Sequence, residues 1–243
     1  MTDDRAALRG LLASGAPLTW VLTGDSITHG LIHTRGARNY VDHLHELIRG
    51  DLGRVHDTVI NTAITGWRAD LILGDFEGRV ARWRPDVVTL LIGTNDCTTE
   101  WLDPVIEVSA FADSVAEFVR RVRELGAVPV LQTPPPADLS HAPDRARIGE
   151  FAQAIRDVAA AEAAVLVDQH EEAFVAFSAG TGPGNEGTPW GLLDDAFHPS
   201  ASGHALLTLG LAGALGLDAE DSRVVTDLRA RVALARHPHW PPT

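Results

Sequence analysis

The chain has 243 residues, 45% of them hydrophobic and 22% charged, which is enough length and apolar content to bury a core without disulfides. Acidic residues outnumber basic ones 33 to 20, and the resulting charge of -13, with no basic run, excludes an electrostatic grip on nucleic acid or on anionic membrane surfaces. Cys97 is the sole cysteine, so no internal disulfide forms; with an acidic start (MTDDRAALRG), no signal-like apolar segment and no run of transmembrane length, a cytoplasmic protein is expected.

The first expected element is a strand at 18–24 (LTWVLTG), an apolar run closed by a glycine turn. Tyr40, Leu44, Leu47 and Ile48 follow at helical spacing, and VHDTVINTAI (55–64) reads as a second strand. DVVTLLIG (86–93), rich in β-branched residues, is the third. Val108, Phe111, Val115, Phe118, Val122 and Leu125, alternately three and four apart, form one stripe of an amphipathic helix. GAVPVLQT (126–133) is the fourth strand, Pro134-Pro135-Pro136 the loop after it, and Ile148, Phe151, Ile155 and Val158 the next helical stripe. AAVLVD (163–168) is the fifth strand, 178–191 a glycine-rich loop, and Ala205 to Leu217 and Val224 to Leu234 two closing helices.

These strands, short and flanked by Gly, Pro and Asp, suit burial on both faces. Their alternation with helices predicts an α/β fold: a three-layer sandwich with a five-stranded parallel sheet, order 2-1-3-4-5, and helices on both faces. No internal repeat or low-complexity tract divides the chain, so residues 1–243 are read as a single domain. Nothing in the sequence fixes an oligomeric state.

Four short blocks fall just after strands or before a helix: Gly24-Asp25-Ser26, Gly66, Gly93-Thr94-Asn95-Asp96, and Asp195-Ala196-Phe197-His198-Pro199. In open α/β sheets ligands bind at the carboxyl ends of the strands, at the switch in strand order. With order 2-1-3-4-5, Ser26 and Asn95 face each other there. A serine hydroxyl needs a base to become a nucleophile, which His198 supplies, and the imidazole needs an acid to fix its tautomer, for which Asp195 has suitable spacing. Asp194, adjacent but pointing elsewhere, is expected to face solvent or satisfy loop N–H groups. The backbone N–H groups of Ser26 and Gly66 and the Asn95 amide offer three donors to an oxyanion, Gly66 because the missing Cβ permits close approach.

In this order, the blocks GDSITHG, the Gly66 turn, GTND and DAFHP resemble the signature blocks of the SGNH (GDSL-type) hydrolase superfamily. They span residues 24 to 199, and the strand–helix order around them matches that family's flavodoxin-like fold. The resemblance implies a serine esterase with catalytic Ser26, Asp195 and His198, oxyanion donors Ser26, Gly66 and Asn95, and no cofactor. It names no substrate. A short-chain ester is expected, such as an O-acetyl group on a carbohydrate or other polar small molecule, since no apolar lid helix stands out. An acyltransferase using the same triad, and an inactive flavodoxin-like binding module, are the rival readings.

Each block alone is weak; four in order form a joint signal. The G-x-S-x-G elbow and the nucleotide-binding glycine motifs are absent. Ser26 alternatively caps the following helix, and Asn95 and Asp96 are alternatively turn residues, Asp96 being read as structural. Ser200 is expected to cap a helix and so position His198. His29 and His33, four apart, hint at a metal pair, but Gly30 between them and the lack of a third ligand nearby argue against one. His43, His45, His237 and His239 are read as surface, and Cys97 as a small buried side chain. Asp25, Trp67, Trp101 and Trp190 are candidate pocket residues, with core packing the alternative for the tryptophans.

Overall fold

The structure, a computed structural model, describes residues 3–101, 104–170 and 192–235. Its sheet consists of β1 (Thr19–Gly24), β2 (Thr58–Asn61), β3 (Val87–Leu91), β4 (Val128–Gln132) and β5 (Val165–Val167). All pairings are parallel and the order is β2-β1-β3-β4-β5, as the alternation of elements predicts. Helices are α1 (Asp4–Ala13), α2 (Ser26–His29), α3 (Tyr40–Glu46), α4 (Ala69–Gly74), α5 (Phe76–Arg79), α6 (Val108–Glu124), α7 (Ile148–Glu162), α8 (Ala201–Leu215) and α9 (Arg223–Ala235).

Side chains alternate along a strand, so each strand feeds two cores. Trp20, Leu22, Val87, Leu91, Val128 and Val165 pack under α1, α3, α8 and α9. Val21, Val88, Leu90 and Leu131 point the other way, onto the apolar stripes of α4, α6 and α7. Helices therefore cover both faces. Phe111, Val115, Phe118 and Val122 of α6 are buried as their spacing predicts, whereas Leu125, one residue past the helix, is 42% exposed. Truncating such a buried phenylalanine to alanine typically costs about 3–5 kcal/mol.

Burial on both faces holds for β1, β3 and β4 but fails for β2, whose residues are exposed or half-buried. As an edge strand, β2 has a neighbour on one side only. Helix α8 is apolar on almost every side because α3 and the sheet lie beneath it and α9 covers it. Helix α1, which the sequence reading passed over, is capped by Asp3 and buries little beyond Leu8 and Asp4. Among the described residues, no helix is long and apolar enough to cross a membrane.

Candidate active site

The Ser26 side of the site is built by the end of β1. An added Cβ at Gly24 would overlap the Leu91 carbonyl oxygen of β3, so only glycine lets the two central strands stay paired to their ends. Asp25 then caps α2, its carboxylate accepting from the Ile27 N–H at 2.9 Å. This leaves Ser26 as the first residue of α2 and not its cap, which removes the capping alternative. Asp25 is wholly buried and turned into the protein, so it does not line a pocket as the sequence reading allowed. Burial pushes its carboxyl up to about 7, against the Ile27 hydrogen bond and with help from the Asp96 charge.

Asn95 follows β3, next to β1 in the sheet, and is 4% exposed. Its Nδ2 donates to the Trp67 carbonyl at 3.0 Å, which fixes the amide and leaves its second N–H to point elsewhere. Asp96, equally buried, anchors the start of α4 by accepting from the Ala69 N–H at 2.9 Å, and burial pushes it up to about 7. Gly66 sits in a turn closed by the Trp67 N–H on the Ile64 carbonyl, with φ +80°. An added Cβ there meets no protein atom within 4 Å, and the left-handed backbone by itself calls for glycine. Cys97 is buried, donates to the Thr94 carbonyl, and is pushed up to about 12 by burial.

The His198 side is a turn, not a sheet element. Leu193 and Pro199 pair as an isolated bridge, the Asp194 N–H donates to the His198 carbonyl, and the Ser200 N–H donates to the Leu192 carbonyl. Ser200 caps α8, as expected. One Asp195 oxygen accepts from the backbone N–H groups of Phe197 (2.9 Å) and His198 (2.7 Å). The other meets His198 Nδ1 at 2.7 Å, and His198 Nε2 lies 2.8 Å from Ser26 Oγ. A proton on Nδ1 for the carboxylate makes Nε2 the acceptor for the serine hydroxyl. Burial alone would raise the Asp195 carboxyl, but the His198 side chain and the two N–H bonds outweigh it and hold it well below the usual carboxylate range.

Several side chains fall elsewhere than the sequence suggests. Asp194 neither faces solvent nor satisfies backbone: it meets Arg35 Nε at 2.6 Å and His33 Nδ1 at 3.3 Å. His29 bonds Thr65 and stands outside the group formed by His33, Asp195 and His198, so the pair suggested by the four-residue spacing is not the cluster that the fold assembles. The His33 and His198 rings are parallel to within 5° and 3.7 Å apart. Imidazole lone pairs lie in the ring plane, so one cation has no position in both planes unless a ring turns. His43 is buried, not superficial, and burial pushes it down to about 4. Trp67 is half-buried under Arg79, and Trp101 is 59% exposed, which rules out core packing for its indole. The Arg145 guanidinium, fully buried, lies 4.6 Å from both the Trp101 and Phe197 rings. Trp190, His237 and His239 and the 178–191 loop lie outside the described residues.

Sequence reasoning missed Arg35 and Arg145, and weighed His33 only as a metal ligand beside His29. Nothing in their local spelling marks them, since each meets the site across a large gap in sequence.

A family model described as the GDSL-like lipase/acylhydrolase family matches residues 22–206. An acetylxylan esterase from Geobacillus stearothermophilus superposes with a TM-score of 0.69 at 21% identity, over 83% of this chain and 95% of that one. An alpha/beta hydrolase enzyme from the metagenome of Lake Arreo, Spain, gives 0.69 at 23%, over 83% and 96%. At these identities both speak for the fold alone. A lipase/acylhydrolase from Enterococcus faecalis gives 0.61 at 27%, over 81% and 94%. An uncharacterized protein of Mycoplasma pneumoniae is 34% identical over 95 residues, which are 39% of this chain and only 11% of that protein.

Proposed function

The chain belongs to the GDSL-like lipase/acylhydrolase family, and from that premise we propose that it is a serine esterase in which Ser26, His198 and Asp195 form the triad. The observation that carries this reading is the continuous chain Ser26 Oγ, His198 Nε2, His198 Nδ1, Asp195 Oδ2, with links of 2.8 and 2.7 Å. Ser26 Oγ attacks the acyl carbon as His198 Nε2 takes its proton, and the imidazolium pairs with Asp195, whose depressed pKa keeps it ionised. The oxyanion is received by the N–H groups of Ser26 and Gly66 and by the free N–H of Asn95. His198 then gives its proton to the leaving alcohol oxygen, and water reverses the sequence to release the acid and Ser26.

The substrate we propose is a short-chain ester of a polar small molecule, with O-acetyl sugars the class to test before others. The exposed Trp101 indole, linked to the triad side through Arg145 and Phe197, offers a face for a sugar ring. The reading takes residues 1–243 as one domain acting without cofactor in the cytoplasm. The test is labelling by a fluorophosphonate, with the adduct mapped by mass spectrometry, alongside turnover of acetyl, butyryl and octanoyl esters and of acetylated sugars. The adduct should sit on Ser26, acetyl esters should turn over fastest, and chelators should change nothing. Ser26→Ala should fall to background; a variant that keeps more than about a tenth of wild-type turnover overturns the nucleophile assignment.

A further inference from the structure

His33 lies in the loop between α2 and α3 and belongs to none of the four sequence blocks. Two separate features single it out. Its ring stacks on His198 with centroids 3.7 Å apart and planes 5° apart, and its Nδ1 lies 3.3 Å from Asp194 Oδ2 and 3.5 Å from Asp195 Oδ2. The backbone that presents it is also unusual. The His33 N–H donates to the Leu31 carbonyl at 2.8 Å across Ile32, which has φ +70° while 83% exposed. A β-branched residue in the left-handed region is an outlier, and so exposed a side chain recovers nothing by packing. The strain therefore has a beneficiary elsewhere, and the side chain that this turn delivers is His33.

We infer that His33 is a positioning residue for the triad histidine, an inference that rests on the serine-esterase reading above. His198 must keep Nδ1 on Asp195 and Nε2 on Ser26 in both its protonation states, and a rotation about its Cβ–Cγ bond loses both links together. A parallel ring at van der Waals distance blocks that rotation. His33 is itself held by the Asp194 carboxylate, whose other oxygen is tied to Arg35, and Asp194 donates its N–H to the His198 carbonyl. The loop after α2 thus carries a brace for the turn before α8.

The experiment compares wild type with His33→Ala, His33→Phe and His33→Gln on one short-chain ester. Active sites are counted by fluorophosphonate, and the His198–Asp195 proton is followed as a downfield resonance by NMR. His33→Ala should lower kcat about tenfold with KM within about twofold, and should broaden or abolish the resonance. His33→Phe, which keeps a flat ring, should recover most of both, whereas His33→Gln, which keeps only a donor, should resemble His33→Ala. An alanine variant with kcat within about twofold of wild type, an effect confined to KM, or rescue by Gln but not by Phe overturns the inference. Failure of the esterase reading has a different signature, the absence of any adduct on Ser26 in wild type, and the resonance then still decides whether His33 holds His198.

Discussion

The two sides of the active site are held by different physics. On the sheet side, Ser26 and Asn95 follow neighbouring central strands and are 6% and 4% exposed, fixed by backbone ladders and buried caps. On the other side, Asp195 and His198 stand on a short turn whose only regular pairing is one bridge. Its geometry comes from carboxylates accepting local N–H groups and from the His33 brace. The sheet side is therefore inseparable from the packing of the core, whereas the turn side rests on local hydrogen bonds and ion pairs. In the proposed mechanism the nucleophile and oxyanion donors stand on the rigid side, as preorganisation requires, because their positions relative to the acyl group set the barrier.

Four substitution or pH experiments would break or sharpen this contrast. The largest effect is expected for Asn95→Ala, about 10²–10³-fold in kcat with little change in KM, since the oxyanion exists only in the transition state. An effect on KM alone would make Asn95 a substrate anchor. Next, Gly24→Ala should destabilise the protein by about 3 kcal/mol in chemical denaturation, because the methyl group must displace the Leu91 carbonyl of β3. A stable, active Gly24→Ala would show that the sheet side is not rigidly tied to the core.

The third experiment uses pH. Asp96 has a folded pKa of about 7 against 3.8 for the free group, so in wild type the folded state holds a proton that the unfolded state has lost, and stability falls as pH rises from about 4 to about 7. Asparagine does not titrate. The stability of Asp96→Asn relative to wild type should therefore increase from pH 5 to pH 8, by roughly 1–3 kcal/mol. His43 and His204, pushed by burial to about 4 and about 3, act oppositely: being held neutral, they remove stability as pH falls below about 6.5. Melting curves of both proteins at several pH values check the sign, and a difference independent of pH would refute the buried-carboxyl account.

The smallest effects belong to the turn. Asp195→Asn should lower kcat/KM by about tenfold, less than Ser26→Ala, with a modest loss of stability at neutral pH, since the folded turn favours the ionised carboxyl. Asp194→Asn should change kcat/KM by less than about threefold, because the amide oxygen still offers an acceptor to Arg35 or His33 and Asp195 remains beside His198. If Asp194→Asn proves the more damaging, the acid of the triad is Asp194, and the short Asp195–His198 contact is structural.

Much of this molecule is legible in the chain. Strand and helix periodicities determine the elements, and with β-branched runs at 86–93 and 126–133 they determine a buried parallel sheet, because burial of a pleated or helical face repeats at a fixed interval. The strand-end places of Ser26 and Asn95 and the fold-back of the Asp195–His198 interval are legible for the same reason: each depends on a strand end or on a turn of three residues, both local in sequence. Other features have no local signal. The edge exposure of β2 depends on which strands become neighbours. The burial of Asp25 and His43 depends on what packs above them. The bridge from Arg35 through Asp194 to His33, and the stack of His33 on His198, join side chains about 160 residues apart. Contacts at that separation exist only after the sheet has closed and α8 has docked, so the tertiary structure alone decides which histidine braces the base and which acid it shares.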